Sequence, residues 1–212
     1  GLLLRTELYG ADESSQAEVP YAVTENRPQV RLVVEAGAYP VVWPSVVESR
    51  TYVYERVSSD PQCIQQVLLS RDEYGQPLRQ VSISYPRRRQ PASPYPDTLP
   101  DGLFADSFDE QQWSLRLTLQ QTRWHTLKDV AAGVWMPGLA NSSRSDAITL
   151  TESDVPAGGL TLESLLGSDS PVGDGKEYTF AGQQQIRYLD AQGDVTDGTP
   201  VFPPLQAFTE TA

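Results

Sequence analysis

The sequence predicts a mainly β protein, an antiparallel twisted sheet of hairpins with one short helix. Three observations predict it. Seventeen prolines punctuate all 212 residues, from Pro20 to Pro204; an interior proline removes a helical hydrogen bond and clashes with the preceding turn, so long helices do not fit between them. Leu115, Leu117 and Leu119 alternate with Arg116, Thr118 and Gln120, the period of a strand with one buried face. β-Branched and aromatic runs alternate with glycine- and proline-bearing turns along the chain.

In order, Leu2 to Tyr9 reads as an extended segment closed by Gly10, and Gln29 to Glu35 as a β-branched strand. Val46 to Val57 places Arg50, Tyr52, Tyr54 and Arg56 on one parity and Thr51, Val53, Glu55 and Val57 on the other, as in a sheet with no wholly apolar side. Gln65 to Arg71 and Arg79 to Tyr85 flank a turn at Tyr74-Gly75-Gln76-Pro77. The proline-rich Gln90 to Gly102 reads as an ordered extended crossing, and Phe104 to Gln112 as a turn or two of helix. Ala147 to Thr151 and Tyr178 to Leu189 are further strands. One short helix follows Thr161, which can cap it. Leu162, Leu165 and Leu166 would share its buried face, and Gly167 would end it in the left-handed conformation. Gly193 to Ala212 reads as a looser tail. No domain boundary is visible: 1–212 reads as a single β-rich segment of a larger chain, since it opens without a methionine and Met136 is its only one.

Composition excludes several functions. Sixteen basic against 28 acidic residues give a net charge of -12, which argues against nucleic acid, because phosphate contacts need a basic face. The one basic run, Arg87-Arg88-Arg89 between Pro86 and Pro91, reads as a solvated loop. With Cys63 and His125 the only cysteine and histidine, neither an internal disulfide nor a four-ligand zinc site can form. Cys63 has no adjacent cation to activate it, so an inert thiol is expected. His125 lies at the end of the Leu115–Leu119 strand, and no Gly-x-Ser-x-Gly elbow accompanies it. Asp12-Glu13, Asp72-Glu73 and Asp109-Glu110 offer carboxylates, but neighbours on a strand face opposite ways. The Asp169, Asp174 and Asp194 to Asp197 regions lack the spacing of a calcium loop. No run is long and apolar enough to cross a bilayer as a helix. The sequence therefore predicts no enzyme, no cofactor and no metal site, and Trp43 and Trp135 suit packing better than a sugar platform.

Three places share a pattern, a tyrosine beside a glycine-bearing turn: Tyr9 with Gly10, Tyr74 with Gly75, and Tyr188 with Gly193. Glycine would supply the positive φ and the ring would pack over the turn with its hydroxyl free to bond. Their spacing is irregular, so on the residues alone three ordinary turns is the better reading and a repeat the weaker one.

Many blocks in order carry a resemblance. Leu3-Leu4-Arg5-Thr6-Glu7-Leu8-Tyr9-Gly10-Ala11-Asp12, Val19-Pro20-Tyr21-Ala22-Val23-Thr24-Glu25 and Gln29-Val30-Arg31-Leu32-Val33 are followed by Glu48 to Arg56 and Ser59-Asp60-Pro61-Gln62. Tyr74-Gly75-Gln76-Pro77-Leu78, Tyr85-Pro86-Arg87-Arg88, Pro94-Tyr95-Pro96, Asp109 to Gln112, Pro156 to Leu166 and Gly182-Gln183-Gln184-Gln185 continue the series. Together they resemble the middle to C-terminal region of the B component of bacterial insecticidal toxin complexes, the Tc toxins, with a family-like core over about 1–150 and a continuation over 151–212. The resemblance implies a piece of a hollow β-shell of Rhs/YD-repeat type. The B component forms that shell with a C component around a toxic cargo before translocation through the A component, which other parts of the same chain would contact. It implies a structural role without direct membrane contact, in a virulence factor assembled in the producer's cytoplasm and acting after release. Tyr9, Tyr74 and Tyr188 would then mark divergent YD-type corners, although glycine, not aspartate, follows Tyr9 and Tyr74. A carbohydrate- or receptor-binding β-domain is the alternative, marked by Trp43, Trp113 or Trp135 in an exposed groove.

Overall fold

The described residues form ten strands, the first eight of which follow one another as neighbours in sequence and in space. They are β1 Arg5–Leu8, β2 Ala22–Val34, β3 Val41–Val53, β4 Gln62–Arg71, β5 Pro77–Ser84, β6 Leu115–Asp129, β7 Val134–Leu150, β8 Thr179–Leu189, β9 Val195–Thr196 and β10 Gln206–Thr211. The structure is a computed structural model and describes residues 1–35, 37, 39–55, 58–86, 100, 102–107, 109–156 and 158–212. The sheet order is β1-β2-β3-β4-β5-β6-β7-β8-β10, with β9 paired to β8, and the pairings β1–β2, β2–β3, β3–β4, β7–β8, β8–β9 and β8–β10 are antiparallel. Antiparallel neighbours need no crossover helices, although longer segments with short helical turns join β5 to β6 and β7 to β8. Among the described residues helix is confined to α1 Leu103–Asp106, α2 Leu162–Leu166 and the 3-10 turns Glu110–Trp113 and Glu152–Asp154.

The chain forms two compact units. The first takes Gly1–Val67, Ser82–Leu117 and Thr149–Ser164. Its core holds Val23, Val47, Val67, Ile83, Leu115, Leu117, Leu160 and Leu162. Cross-strand partners sort by charge: Arg5 faces Glu25, Glu25 faces Arg50 and Arg27 faces Glu48, while the alternate positions pair Thr6 with Thr24, Thr24 with Thr51 and Asn26 with Ser49. The second unit takes Leu68–Val81, Thr118–Ile148 and Leu165–Ala212, and buries Val81, Leu119, Leu127, Leu165, Val172 and Tyr188.

α2 forms where the sequence places it. Thr161 Oγ1 accepts from Ser164 N–H, and Thr161 N–H donates to Ser164 Oγ in return, a reciprocal cap. Leu162 and Leu165 are buried, but Leu166 is exposed, because five residues expose part of their circumference whatever they pack on. Gly167 does not adopt the left-handed conformation; the chain leaves the helix through a turn in which Ser170 N–H reaches the Gly167 carbonyl.

Other expectations change. Prolines do not only divide strands: Pro28, Pro44 and Pro137 lie inside β2, β3 and β7. Pro28 stands where the β2–β3 register shifts, and a bulge tolerates a missing donor. β7 starts at Val134, not Ala147, and the presumed loose tail contains β9 and β10. The period-2 reading of Val46 to Val57 ends at Val53, and Glu55 turns at φ 47°. Arg56, Val57, Arg87-Arg88-Arg89 and nearly all of the Gln90 to Gly102 crossing lie outside the described residues.

Candidate functional site

The three tyrosine–glycine sites differ in construction. Tyr9 lies just beyond β1, and its hydroxyl donates to Glu7 Oε2 at 2.6 Å. That bond, followed by the one from Arg5, holds the Glu7 carboxyl below the usual range. Gly10 does not take a positive φ. At the second site the organiser is Asp72. Its Oδ1 accepts from Tyr74 N–H at 2.9 Å and Gln76 N–H at 2.8 Å, while its own N–H donates to the Gln76 carbonyl and its carbonyl accepts from Gly75 N–H. The third site repeats this bond for bond. Asp190 Oδ1 accepts from Gln192 and Asp194 N–H at 2.9 Å each, Asp190 N–H donates to the Asp194 carbonyl, and Gly193 N–H donates to the Asp190 carbonyl. Gly75 and Gly193 sit at φ 88° and 87°.

The shared unit is thus Asp-x-x-Gly closing a hairpin: Asp72 to Gly75 between β4 and β5, Asp190 to Gly193 between β8 and β9. A carboxylate that accepts two successive turn amides and a glycine with positive φ are what such a turn requires. The tyrosine is not the common element. Tyr74 lies inside its turn, edge-on to Trp135 at 5.3 Å. Tyr188 lies within β8, buried, with its hydroxyl on the Ala140 carbonyl at 2.8 Å and its ring edge-on to His125 at 6.0 Å. The spacing Asp72–Gly75 and Asp190–Gly193 was present in the sequence and would have found the match.

In the first unit a buried polar knot fastens the segment before α2 to the strands. Gln65, fully buried, donates from Nε2 to Glu48 Oε1 at 2.6 Å and to the Leu160 carbonyl at 2.9 Å. Tyr85 Oη donates to Gln65 Oε1 at 2.6 Å and accepts from Leu160 N–H at 2.9 Å. Arg50 spans Glu48 and the Leu160 carbonyl. Arg27 reaches Glu48 at 3.6 Å and forms a two-pronged pair with Glu163. Burial pushes the Tyr85 phenol upward. Beside the knot lies a hollow of about 510 Å³ lined by Arg50, Tyr52, Cys63, Tyr85, Pro156 and Gly159 among others. Burial raises the Cys63 thiol, which keeps it protonated and weakly nucleophilic.

The second unit has a smaller hollow of about 290 Å³ against β5, β6, β7 and β8, lined by Gln80, Gln120, Thr122, Trp124, Asn141, Ser143 and Gln184 among others. Trp43, Trp113 and Trp135 line neither hollow: Trp43 lies under Arg31 and Trp135, more than half exposed, takes Tyr74 and Lys128. His125 lies within β6, not at its end, and burial lowers its pKa. Among the described residues no group of three or more His, Cys, Asp or Glu side chains could hold a metal ion.

The turns and the knot use side chains to fix backbone locally, each within its own unit, in a chain built of β-strands with hardly any helix among the described residues. The comparisons give its family. The family described as insecticide toxin TcdB middle/C-terminal region matches residues 1–139, and the chain belongs to it. The solved TcdB2–TccC3 complex contains a region 52% identical to this chain, with a TM-score of 0.90 over 99% of this chain and 10% of that one. The same identity and TM-score hold over 100% of this chain for TcdB2–TccC3–Cdc42 and for a mutant Tc holotoxin pore of Photorhabdus luminescens. The chain spans about a tenth of the length of these solved chains. No curated protein sequence matches it.

Proposed function

We propose that this chain is a non-catalytic wall segment of the B component of an insecticidal toxin complex. With a C component it builds a hollow β-shell around a toxic cargo, which then leaves through the A component channel. The supporting observation is the 52% identity and TM-score of 0.90, carried over the whole chain, to part of TcdB2 in complex with TccC3. At that identity the register of a β-sheet is preserved along with its fold. The segment 1–212 serves as one stretch of that wall, and the Asp72 and Asp190 turns are the corners that fix the lengths of its strands. Partners are protein, not nucleic acid or membrane. The complex acts outside the producing bacterium after assembly in its cytoplasm.

Co-purification tests this reading. The full B-type chain should form a stable complex with its C-type partner. Deleting residues 1–212 should abolish the complex, and inserting the corresponding TcdB2 segment should restore it. Assembly that survives the deletion sinks the wall role; failure of the TcdB2 segment to rescue shows that the likeness is not functional.

A further inference from the structure

We propose that in each unit the nearly uncharged face of the strands is the one turned toward polypeptide held inside the shell, and that it acts as a weakly adhesive lining for an unfolded, charge-bearing chain. The inference rests on the wall reading above and adds the orientation of the wall and the chemistry of its lining.

The two faces are chemically distinct. In the first unit the register aligns Thr6, Thr24, Thr51 and Ile64 in one cross-strand row and Asn26, Ser49 and Gln66 in the next. Gln66 Nε2 donates to Ser82 Oγ at 2.8 Å, and the hydroxyls of Thr24 and Thr51 meet at 3.2 Å. The other face of the same strands carries Arg5 with Glu25, Arg27 with Glu48, and Arg50 with Glu48. In the second unit the hollow described above has no charged side chain in its lining, and Gln120 Nε2 donates to Ser143 Oγ at 3.2 Å. Gln184 stands opposite Ser143 and Thr211, and Ile186 opposite Thr209. The alternate positions hold Arg144 with Asp146 and Arg187 with Glu210. Among the described strand residues only Arg116 and Lys128, near the two ends of β6, break the rule. Arg116 donates to Gln111 Oε1, and Lys128 lies over the Trp135 ring.

An unfolded polypeptide presents both signs of charge in arbitrary order. Charges on a wall beside it would form ion pairs with some stretches and repel others, and a large apolar face would capture hydrophobic stretches. Hydroxyls and amides already bonded to one another do neither. They stay solvated, offer short-lived hydrogen bonds and project no long-range field. A glycan is the weaker fit, because the one tryptophan in the hollow, Trp124, already donates its indole N–H to the Pro77 carbonyl at 2.8 Å.

The test uses the full B-type chain assembled with its C-type partner. A photo-crosslinking residue replaces Gln66 or Gln120 on the neutral face, and Glu25 or Glu210 on the charged face. Size exclusion verifies assembly of each variant. Crosslinks to the cargo portion of the C-type partner should be about tenfold more abundant from positions 66 and 120, since confinement raises the local concentration of chain on the lumen side alone. Equal or greater cargo crosslinking from positions 25 and 210 overturns the orientation while leaving the wall reading intact. Crosslinks from 66 and 120 only to folded neighbours or to glycan overturn the lining role. Failure of the unsubstituted chain to assemble overturns the wall reading, and this proposal with it.

Discussion

The polar knot around Leu160 and the aspartate turns at Asp72 and Asp190 use the same device, a side chain that binds backbone groups, at different depths. In the knot, Gln65 is fully buried and bonded to Glu48, Tyr85 and the Leu160 carbonyl. In the turns, one half-buried carboxylate accepts two amides, through part-buried bonds at Asp72 and solvent-exposed ones at Asp190. Water can replace a partner at the turns but not in the knot, so the same kind of bond is costly to lose inside and cheap outside. The knot therefore fixes where the Pro156 to Leu166 segment lies, whereas the turns tune hairpins that would pair without them.

The largest effect is expected at the knot. Gln65→Ala strips a partner from the Glu48 carboxylate, the Tyr85 hydroxyl and the Leu160 carbonyl at once, and should lower stability by about 3 kcal/mol in urea denaturation. A loss equal to that of a turn variant would show that water enters the knot. Gly159→Ala should come next, at about 2 kcal/mol. Gly159 holds φ +76°, and an added Cβ would stand 2.7 Å from Tyr85 Oη. Tyr85→Phe would remove only the nearest of these contacts, since two ring carbons stand 3.0 and 3.1 Å from the same Cβ, and it would cost the knot two hydrogen bonds, so the double variant should be less stable than Gly159→Ala alone; a double variant more stable than the single one would locate the cost in the hydroxyl clash. Asp72→Ala should cost about 1 kcal/mol and Asp190→Ala about half of that, in the order in which their bonds are shielded from water. Equal losses would remove burial as the cause.

How much of this was legible depends on the range of the interaction that decides each element. The Leu115, Leu117, Leu119 alternation and the Thr161 cap are local, and both appear as β6 and α2. β7 was hidden because Asn141-Ser142-Ser143-Arg144-Ser145 looks like a polar loop. It is a strand because Gln183 to Gln185 pair with it from far along the chain, and tertiary pairing overrides propensity. The turns were found but aligned on the wrong residue, since the tyrosines attract notice while the aspartates make the bonds. The segregation of charge by face was half visible: Arg50 and Tyr52 were placed on one parity and Thr51 and Val53 on the other, yet the pattern acquires meaning only when registers bring Glu25, Arg27 and Glu48 beside Arg50. The knot was not legible, since Gln65, Tyr85 and Leu160 are far apart in sequence.

The smallest effect lies at the rim of the knot, where the comparison between buried and exposed bonds meets within one cluster. Glu163 accepts two bonds from Arg27, and these hold its carboxyl at about 2, well below its ordinary 4.5. A carboxylate depressed on folding contributes stability that is complete above its unfolded pKa and disappears as pH falls through the folded one. The Arg27–Glu163 contribution should thus fade between pH 4.5 and about 2. Because both side chains are solvent-exposed, 1 M salt should erase most of it at any pH. Denaturation midpoints across that window should fall more steeply for the natural chain than for Arg27→Gln in low salt, and in parallel for both in high salt. Equal steepness in low salt would place the acid sensitivity elsewhere. A difference that survives high salt would mean that Arg27 acts through the buried Glu48, which it also reaches at 3.6 Å, and would move this pair from the rim into the knot.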